Sequence, residues 1–180
     1  SFKGGTRVAA LDINGDGIKE IAVASGRGRY SEVRVFSMDG SLLHRFPVLG
    51  NFRNGFSLAS GDIDGDKIDE VVVGAGAGGG PHVQIYRLDG TLAYEFFAFE
   101  KDFKGGVEVA APDINNDGTS EIAVAPSGGR SREVKIFAAP GNVLSEFQVY
   151  DDRAVRVKSR LPGLTLSVFD FDGDGRDEII

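Results

Sequence analysis

Apolar residues in this chain come in short bursts, and the bursts repeat in a fixed order. Strict alternation marks V-R-V-F at 33–36, V-Q-I-Y at 83–86 and V-K-I-F at 134–137, the period-two signature of a half-exposed strand. Ahead of each lies an apolar run: I-A-V-A at 21–24, V-V-V-G at 71–74 and I-A-V-A at 122–125. Earlier still comes a stretch of small and branched residues, V-A-A-L before Asp12, L-A-S-G before Asp62, V-A-A-P before Asp113 and S-V-F before Asp170. The dipeptides Asp39-Gly40, Asp89-Gly90 and Pro140-Gly141 then predict turns into a last strand, at 42–46, 92–96 and 143–147. No helical periodicity appears. Four short strands per unit of about 50 residues predict an all-β fold, a β-propeller of four-stranded antiparallel blades. About three and a half blades are present, as one partial domain over 1–180 with units 2–51, 52–102, 103–159 and a truncated 160–180. Small residues in the first strand suit the innermost position, where blades crowd together.

The register comes from an acidic nine-residue loop written four times, at offsets of 50, 51 and 57 residues. It reads Asp, a hydrophobe, Asp or Asn, any residue, Asp, usually Gly, two residues and Glu. Side-chain oxygens at positions 1, 3 and 5 converge on one point: Asp12, Asn14, Asp16; Asp62, Asp64, Asp66; Asp113, Asn115, Asp117; and Asp170, Asp172, Asp174. Backbone carbonyls at position 7 (Ile18, Ile68, Thr119, Arg176) and the closing acids Glu20, Glu70, Glu121 and Glu178 complete a hard-oxygen shell. Such a shell suits Ca2+, up to four ions in all. An EF-hand closes at position 12 between helices, so that reading fails. Gly at position 6 allows a positive φ; Lys67 stands there in the second loop and predicts strain. Asp69 and Asp177, at position 8, are expected to be solvated loop residues.

Seven residues before each leading Asp sits a Gly (Gly5, Gly55, Gly106, Gly163). Three residues before that Gly comes Phe2, Phe52 or Phe103, with Arg160 in the fourth unit. These leaders (F-K-G-G, F-R-N-G), the Asp-x-Asp/Asn-x-Asp-Gly loops, and the Ala-Ser-Gly, Gly-Ala-Gly and Ala-Pro segments after the second strand resemble the FG-GAP repeat family, close to the VCBS repeats and including the integrin α-subunit propeller. The resemblance covers essentially the whole chain. It implies half of a ring, completed by further sequence, by self-association with a second copy, or left as an isolated open arc, and a ligand face opposite the calcium loops.

Composition changes the picture in three places. The 26 Gly against 6 Pro fit many tight turns, and the absence of Cys excludes disulfides and thiolate chemistry. The net charge of −7 is local to the loops: they hold three, four, three and four ligand acids, 14 of the 27, leaving 13 against 20 Lys plus Arg. No stretch is apolar enough to span a membrane as a helix. The chain starts at Ser1 without Met and stops at Ile180 within an expected strand, and so is expected to belong to something longer.

Other motifs carry less. G-A-G-A-G-G at 74–79 resembles a dinucleotide loop, but a strand follows where a helix is required. His44 and His82 have no partner at ligand spacing, and no catalytic constellation emerges, so no enzyme is expected. Turns opposite the loops collect Arg27, Arg29, Tyr30, His82, Arg130 and Arg132, and the connections add Arg53, Lys104, Arg153, Arg156, Lys158 and Arg160. This basic face predicts an anionic or polyhydroxyl partner, an extracellular protein or glycan. Nucleic acid is disfavoured by the scarcity of stacking aromatics there. The expected role is adhesion or recognition outside the cell or at its surface; the alternatives are a propeller lectin and an accessory part of a larger secreted enzyme.

Overall fold

A computed structural model describes residues 5–28, 30–129, 132–149 and 161–180, with Leu161 and Pro162 described by backbone alone. The first unit forms β1 (Thr6–Leu11), β2 (Glu20–Ser25), β3 (Glu32–Phe36) and β4 (Leu42–Pro47). The second forms β5 (Phe56–Gly61), β6 (Glu70–Ala75), β7 (His82–Tyr86) and β8 (Leu92–Phe97). The third contains β9 (Val107–Ala110), β10 (Ile122–Pro126), a two-residue β11 (Gly128–Gly129), β12 (Glu133–Ala138) and β13 (Asn142–Gln148). Then come β14 (Leu161–Pro162), paired with β11, and a two-stranded sheet of β15 (Val168–Phe169) and β16 (Glu178–Ile179). The described residues are thus all-β, with three four-stranded antiparallel meanders of order β1-β2-β3-β4, β5-β6-β7-β8 and β9-β10-β12-β13. No helix occurs among the described residues.

Consecutive sheets stack face to face, with β1 against β5 and β5 against β9. This explains the two hydrophobic patterns. All six residues of β6 are buried because the second sheet is covered on both sides. Val71 and Val73 face Leu11, Ala22, Ala24, Val33 and Val35 of the first sheet, whereas Val72 faces Val109, Ile122 and Val124 of the third. The same position is not covered in the first sheet, where Ile21 is 37% exposed and Val8 67%, against 0% for Val71 and Ile122. Each buried Val or Ile contributes about 1.5–3 kcal/mol.

Two further devices tie neighbouring sheets. The last-strand Phe of one sheet meets the third-strand aromatic of the next: Phe46 lies 6.0 Å from Tyr86, and Phe96 lies 4.6 Å from Phe137. Turn glycines make room for them, since a Cβ on Gly90 would sit 2.8 Å from Phe46 and one on Gly141 2.9 Å from Phe96. The leader glycines act at the other end of the sheets. Gly55 and Gly106 have φ of 78° and 77°, and a Cβ on Gly106 would lie 2.5 Å from the backbone of Gly76 and Ala77 in the preceding unit.

Candidate metal centre

Each loop is wound by its own carboxylates. The position-1 aspartate accepts backbone amides from positions 4 to 6: Asp12 from Gly15 and Gly17 (both 2.7 Å), Asp62 from Gly65 (2.7 Å) and Lys67 (2.8 Å), Asp113 from Asp117 (3.1 Å) and Gly118 (2.9 Å), and Asp170 from Gly173 (2.7 Å) and Gly175 (3.1 Å). Position 5 accepts from position 7 in every copy: Ile18 to Asp16 at 2.7 Å, and Ile68 to Asp66, Thr119 to Asp117 and Arg176 to Asp174 at 2.8 Å. The closing glutamate turns back to the position-2 amide, with Glu20, Glu70, Glu121 and Glu178 bonded to Ile13 (3.3 Å), Ile63 (3.0 Å), Ile114 (3.0 Å) and Phe171 (2.8 Å). These bonds fold each loop back on itself, so that its closing glutamate stands beside its second residue.

This winding needs left-handed backbone at two places. Position 6 is one, as expected: Gly17, Gly118 and Gly175 have positive φ, and Lys67 is forced to 72°. Position 4 is the other, occupied by Gly15, Gly65, Asn116 and Gly173 with φ of 74°, 81°, 57° and 77°. Gly and Asn are the residues that tolerate this region.

In the second and fourth loops the clustered acids could hold a metal ion. Carboxylate oxygens of Asp62, Asp64 and Asp66 lie within 4.8 Å of one another, as do those of Asp170, Asp172 and Glu178. In the first and third loops Asn replaces the central acid and hydrogen-bonds a loop acid instead, with Asn14 Nδ2 donating to Asp16 (3.0 Å) and Asn115 Nδ2 to Glu121 (3.2 Å). In the second loop Arg87 Nη2 donates to Asp64 Oδ2 at 2.9 Å and offsets part of the negative charge.

Electrostatics follow burial. At Asp12 burial works to raise the pKa, but the amides of Asn14, Gly17, Gly15 and Asp16 outweigh it and hold the carboxyl below the usual carboxylate range. Burial pushes Glu70 up to about 7; the Ile63 amide opposes this, while Asp64, Asp66 and Asp62 reinforce it. Burial also raises Glu121, opposed by the Ile114 amide. Below pH 4.5 Glu70 is protonated whether folded or unfolded. Between 4.5 and about 7 the folded state keeps a proton that the unfolded chain releases, so this group's contribution to stability declines as pH rises through that window. In chelator, the melting temperature of the native chain relative to Glu70→Gln is expected to fall from pH 5 to pH 7.5. A constant difference between the two would contradict the buried, crowded placement of Glu70.

The position-8 residues differ from expectation. Asp69 is buried, and its carboxylate accepts the Asp12 amide and the Lys19 ammonium, both at 2.8 Å. Asp177 accepts the Asp113 amide at 3.0 Å. Neither is a solvated loop acid; both bind the neighbouring unit, a role signalled by their recurrence at one loop position.

On the opposite side, the second-to-third-strand turns meet the connections between units, with Gly28 N–H bonded to Arg53 O (2.9 Å) and Gly78 N–H to Lys104 O (3.0 Å). Arg27, Tyr30, Arg53 and Lys104 are exposed there, and the Arg53 guanidinium lies 3.9 Å from the Tyr30 ring centre. Next to them a cavity of about 480 Å3 is lined in part by Glu32, Arg34 and Arg45. Glu32 accepts from Arg34 Nε (2.6 Å) and Arg45 Nε (2.7 Å), a pairing that the alternation had reduced to strand residues. His82 is not isolated: its Nε2 sits 3.0 Å from Glu95, and its ring stacks on Phe97 at 4.9 Å. Arg132 is buried rather than presented to solvent. Arg29, Arg130, Arg153, Arg156, Lys158 and Arg160 lie outside the described residues.

Residues 12–73 match the family model of the FG-GAP-like repeat. No curated protein matches the chain. Among solved structures, the exotype rhamnogalacturonan lyase YesX is similar with a TM-score of 0.63 at 19% identity, over 98% of this chain and 38% of that one. A rhamnogalacturonan lyase of Bacillus licheniformis gives 0.64 at 18% identity, over 98% and 39%. The V. cholerae biofilm matrix protein Bap1 gives 0.51 at 21% identity, over 98% and 28%. The chain therefore spans about two fifths of the length of the lyases it resembles, and at these identities the likeness concerns the fold alone. No described helix is long and apolar enough to cross a membrane. The matched repeat opens at the leading aspartate of the first loop and runs into β6, so that residues 12–73 are similar to an FG-GAP-like repeat.

Proposed function

We propose that the chain is a calcium-stabilised β-propeller segment for adhesion or recognition at the cell surface or outside the cell, without catalysis of its own. On this reading each four-stranded sheet is a blade, and β15–β16 is the inner half of a fourth. The observation that carries it is repetition: one loop geometry recurs four times, whereas a catalytic site is built once. Asp12, Asp62, Asp113 and Asp170 with their closing glutamates would hold the ions, and the role of the metal would be to neutralise crowded carboxylates and lock the loops. Extracellular calcium modules bind in the ~0.1–1 mM range, which suits a site outside cells.

The partner would meet the face bearing Arg27, Tyr30, Arg53 and Lys104, where Tyr30 and Arg53 line a cavity together with the Glu32, Arg34 and Arg45 group. Arg27→Glu with Arg53→Glu is expected to weaken binding to an anionic polysaccharide such as polygalacturonate about tenfold, with little effect on neutral dextran. Unchanged affinity in isothermal titration would show that the face is misassigned. A second reading, an accessory part of a larger secreted enzyme, is favoured by the fold shared with two polysaccharide lyases more than twice its length. A lectin role is the third; a glycan array that lights up only with neutral sugars would favour it.

A further inference from the structure

Three bonds between units recur at one loop position. The amide of Asp69 donates to Asp12 O at 2.8 Å, that of Ser120 to Asp62 O at 2.7 Å, and that of Asp177 to Asp113 O at 3.0 Å. In each case position 8 of one loop grips the backbone of the leading aspartate of the loop before it. In two of the three pairs the grip is double. The Asp69 carboxylate accepts the Asp12 N–H at 2.8 Å, and the Asp177 carboxylate accepts the Asp113 N–H at 3.0 Å. Ser120 supplies only its backbone amide.

We propose that Asp69 and Asp177 are positioning residues for the cation sites of the first and third loops, although by sequence they sit in the second and fourth. The proposal rests on the reading of the loops as cation sites. The leading aspartate is the hub of its loop, because its two oxygens organise the turn at positions 4 to 6. Holding its N–H and C=O at one place fixes where those oxygens stand. Asp12 and Asp69 are both buried, so the pair is shielded from water competition. Lys19 Nζ, at 2.8 Å from Asp69 Oδ2, balances the added charge. The first and third cation sites are thus each assembled by two units, and binding in these loops depends on the docking of the next sheet. Groups that orient a metal ligand typically change affinity by about 10–100-fold when removed.

The test is a calcium titration of the full chain followed by amide resonances in two-dimensional NMR. The Gly17 amide bonds Asp12 Oδ2 and reports the first loop; the Lys67 amide bonds Asp62 Oδ2 and reports the second. In Asp69→Ala the Gly17 midpoint is expected to move about tenfold to higher calcium, while the Lys67 midpoint stays. Asp69→Asn keeps an oxygen acceptor for the Asp12 amide, and its Gly17 midpoint should return most of the way to that of the native chain. Asp177→Ala should do to Gly118, in the third loop, what Asp69→Ala does to Gly17. A shift of Lys67 without Gly17, or no shift of either, would overturn the proposal while leaving the cation sites standing. A native chain in which none of these amides responds to calcium would overturn the cation reading, and this inference with it.

Discussion

Excess chelator is expected to lower the melting temperature of this protein by about 10 °C or more relative to 10 mM calcium. One site held a hundredfold above its dissociation constant adds about 2.7 kcal/mol, and in a chain of this size each kcal/mol shifts the midpoint by about 2–4 °C. Even a single filled loop therefore shifts it by about 5–10 °C, and several loops add to that. The physical source is the crowding of like charges: three carboxylate oxygens within 4.8 Å in the second loop, and again in the fourth, repel one another until a cation sits among them. Magnesium should restore little of the loss, because it demands near-octahedral geometry and gives up water reluctantly. Differential scanning calorimetry at matched ionic strength measures the effect. Identical melts in calcium and chelator would show that amide bonds alone hold the loops.

The second large effect is expected at Gly106. Its φ of 77° is costly for any residue with a Cβ, by about 1–2 kcal/mol. A methyl group there would also stand 2.5 Å from backbone atoms of Gly76 and Ala77, which cannot swing aside as a side chain could. Overpacking of this kind typically costs about 1–3 kcal/mol more. Gly106→Ala should therefore lose about 2–5 kcal/mol in denaturant unfolding. Gly40→Ala is the comparison, since Gly40 has φ of 85° with nothing within 4 Å of the added Cβ, and should lose only about 1–2 kcal/mol. Equal losses in the two variants would mean that the close approach between units carries no weight.

These two positions show what could be read from the chain and what could not. Strand positions were legible because alternation is local: V-R-V-F at 33–36 became β3 with one residue added, and L-L-H-R-F at 42–46 became β4 in the same way. The loops were legible because their repeating acids lie within nine residues. Contacts between units were not, since they join residues about 25 to 65 apart. The leader glycines were visible as a repeat, but their reason, the backbone of the preceding unit, appears only after folding. Asp69 looked like a surplus acid for the same cause. Aligning the units on their first aspartates puts Asp69, Ser120 and Asp177 in one column, and a column of this kind was the available sign that position 8 has a task. Phe46 and Tyr86 were likewise read as separate strand residues, though pairing one unit's last strand with the next unit's third strand brings their rings to 6.0 Å.

The central claim is that the four acidic loops are calcium sites that hold the repeat together, and counting bound ions tests it most directly. Native mass spectrometry of the full chain in millimolar calcium should show species carrying several ions, up to four, that disappear with chelator. Removing the Asp62 carboxylate as Asp62→Ala should lower the maximum by one. A chain that remains ion-free in calcium, with an unchanged charge-state distribution, would contradict the claim.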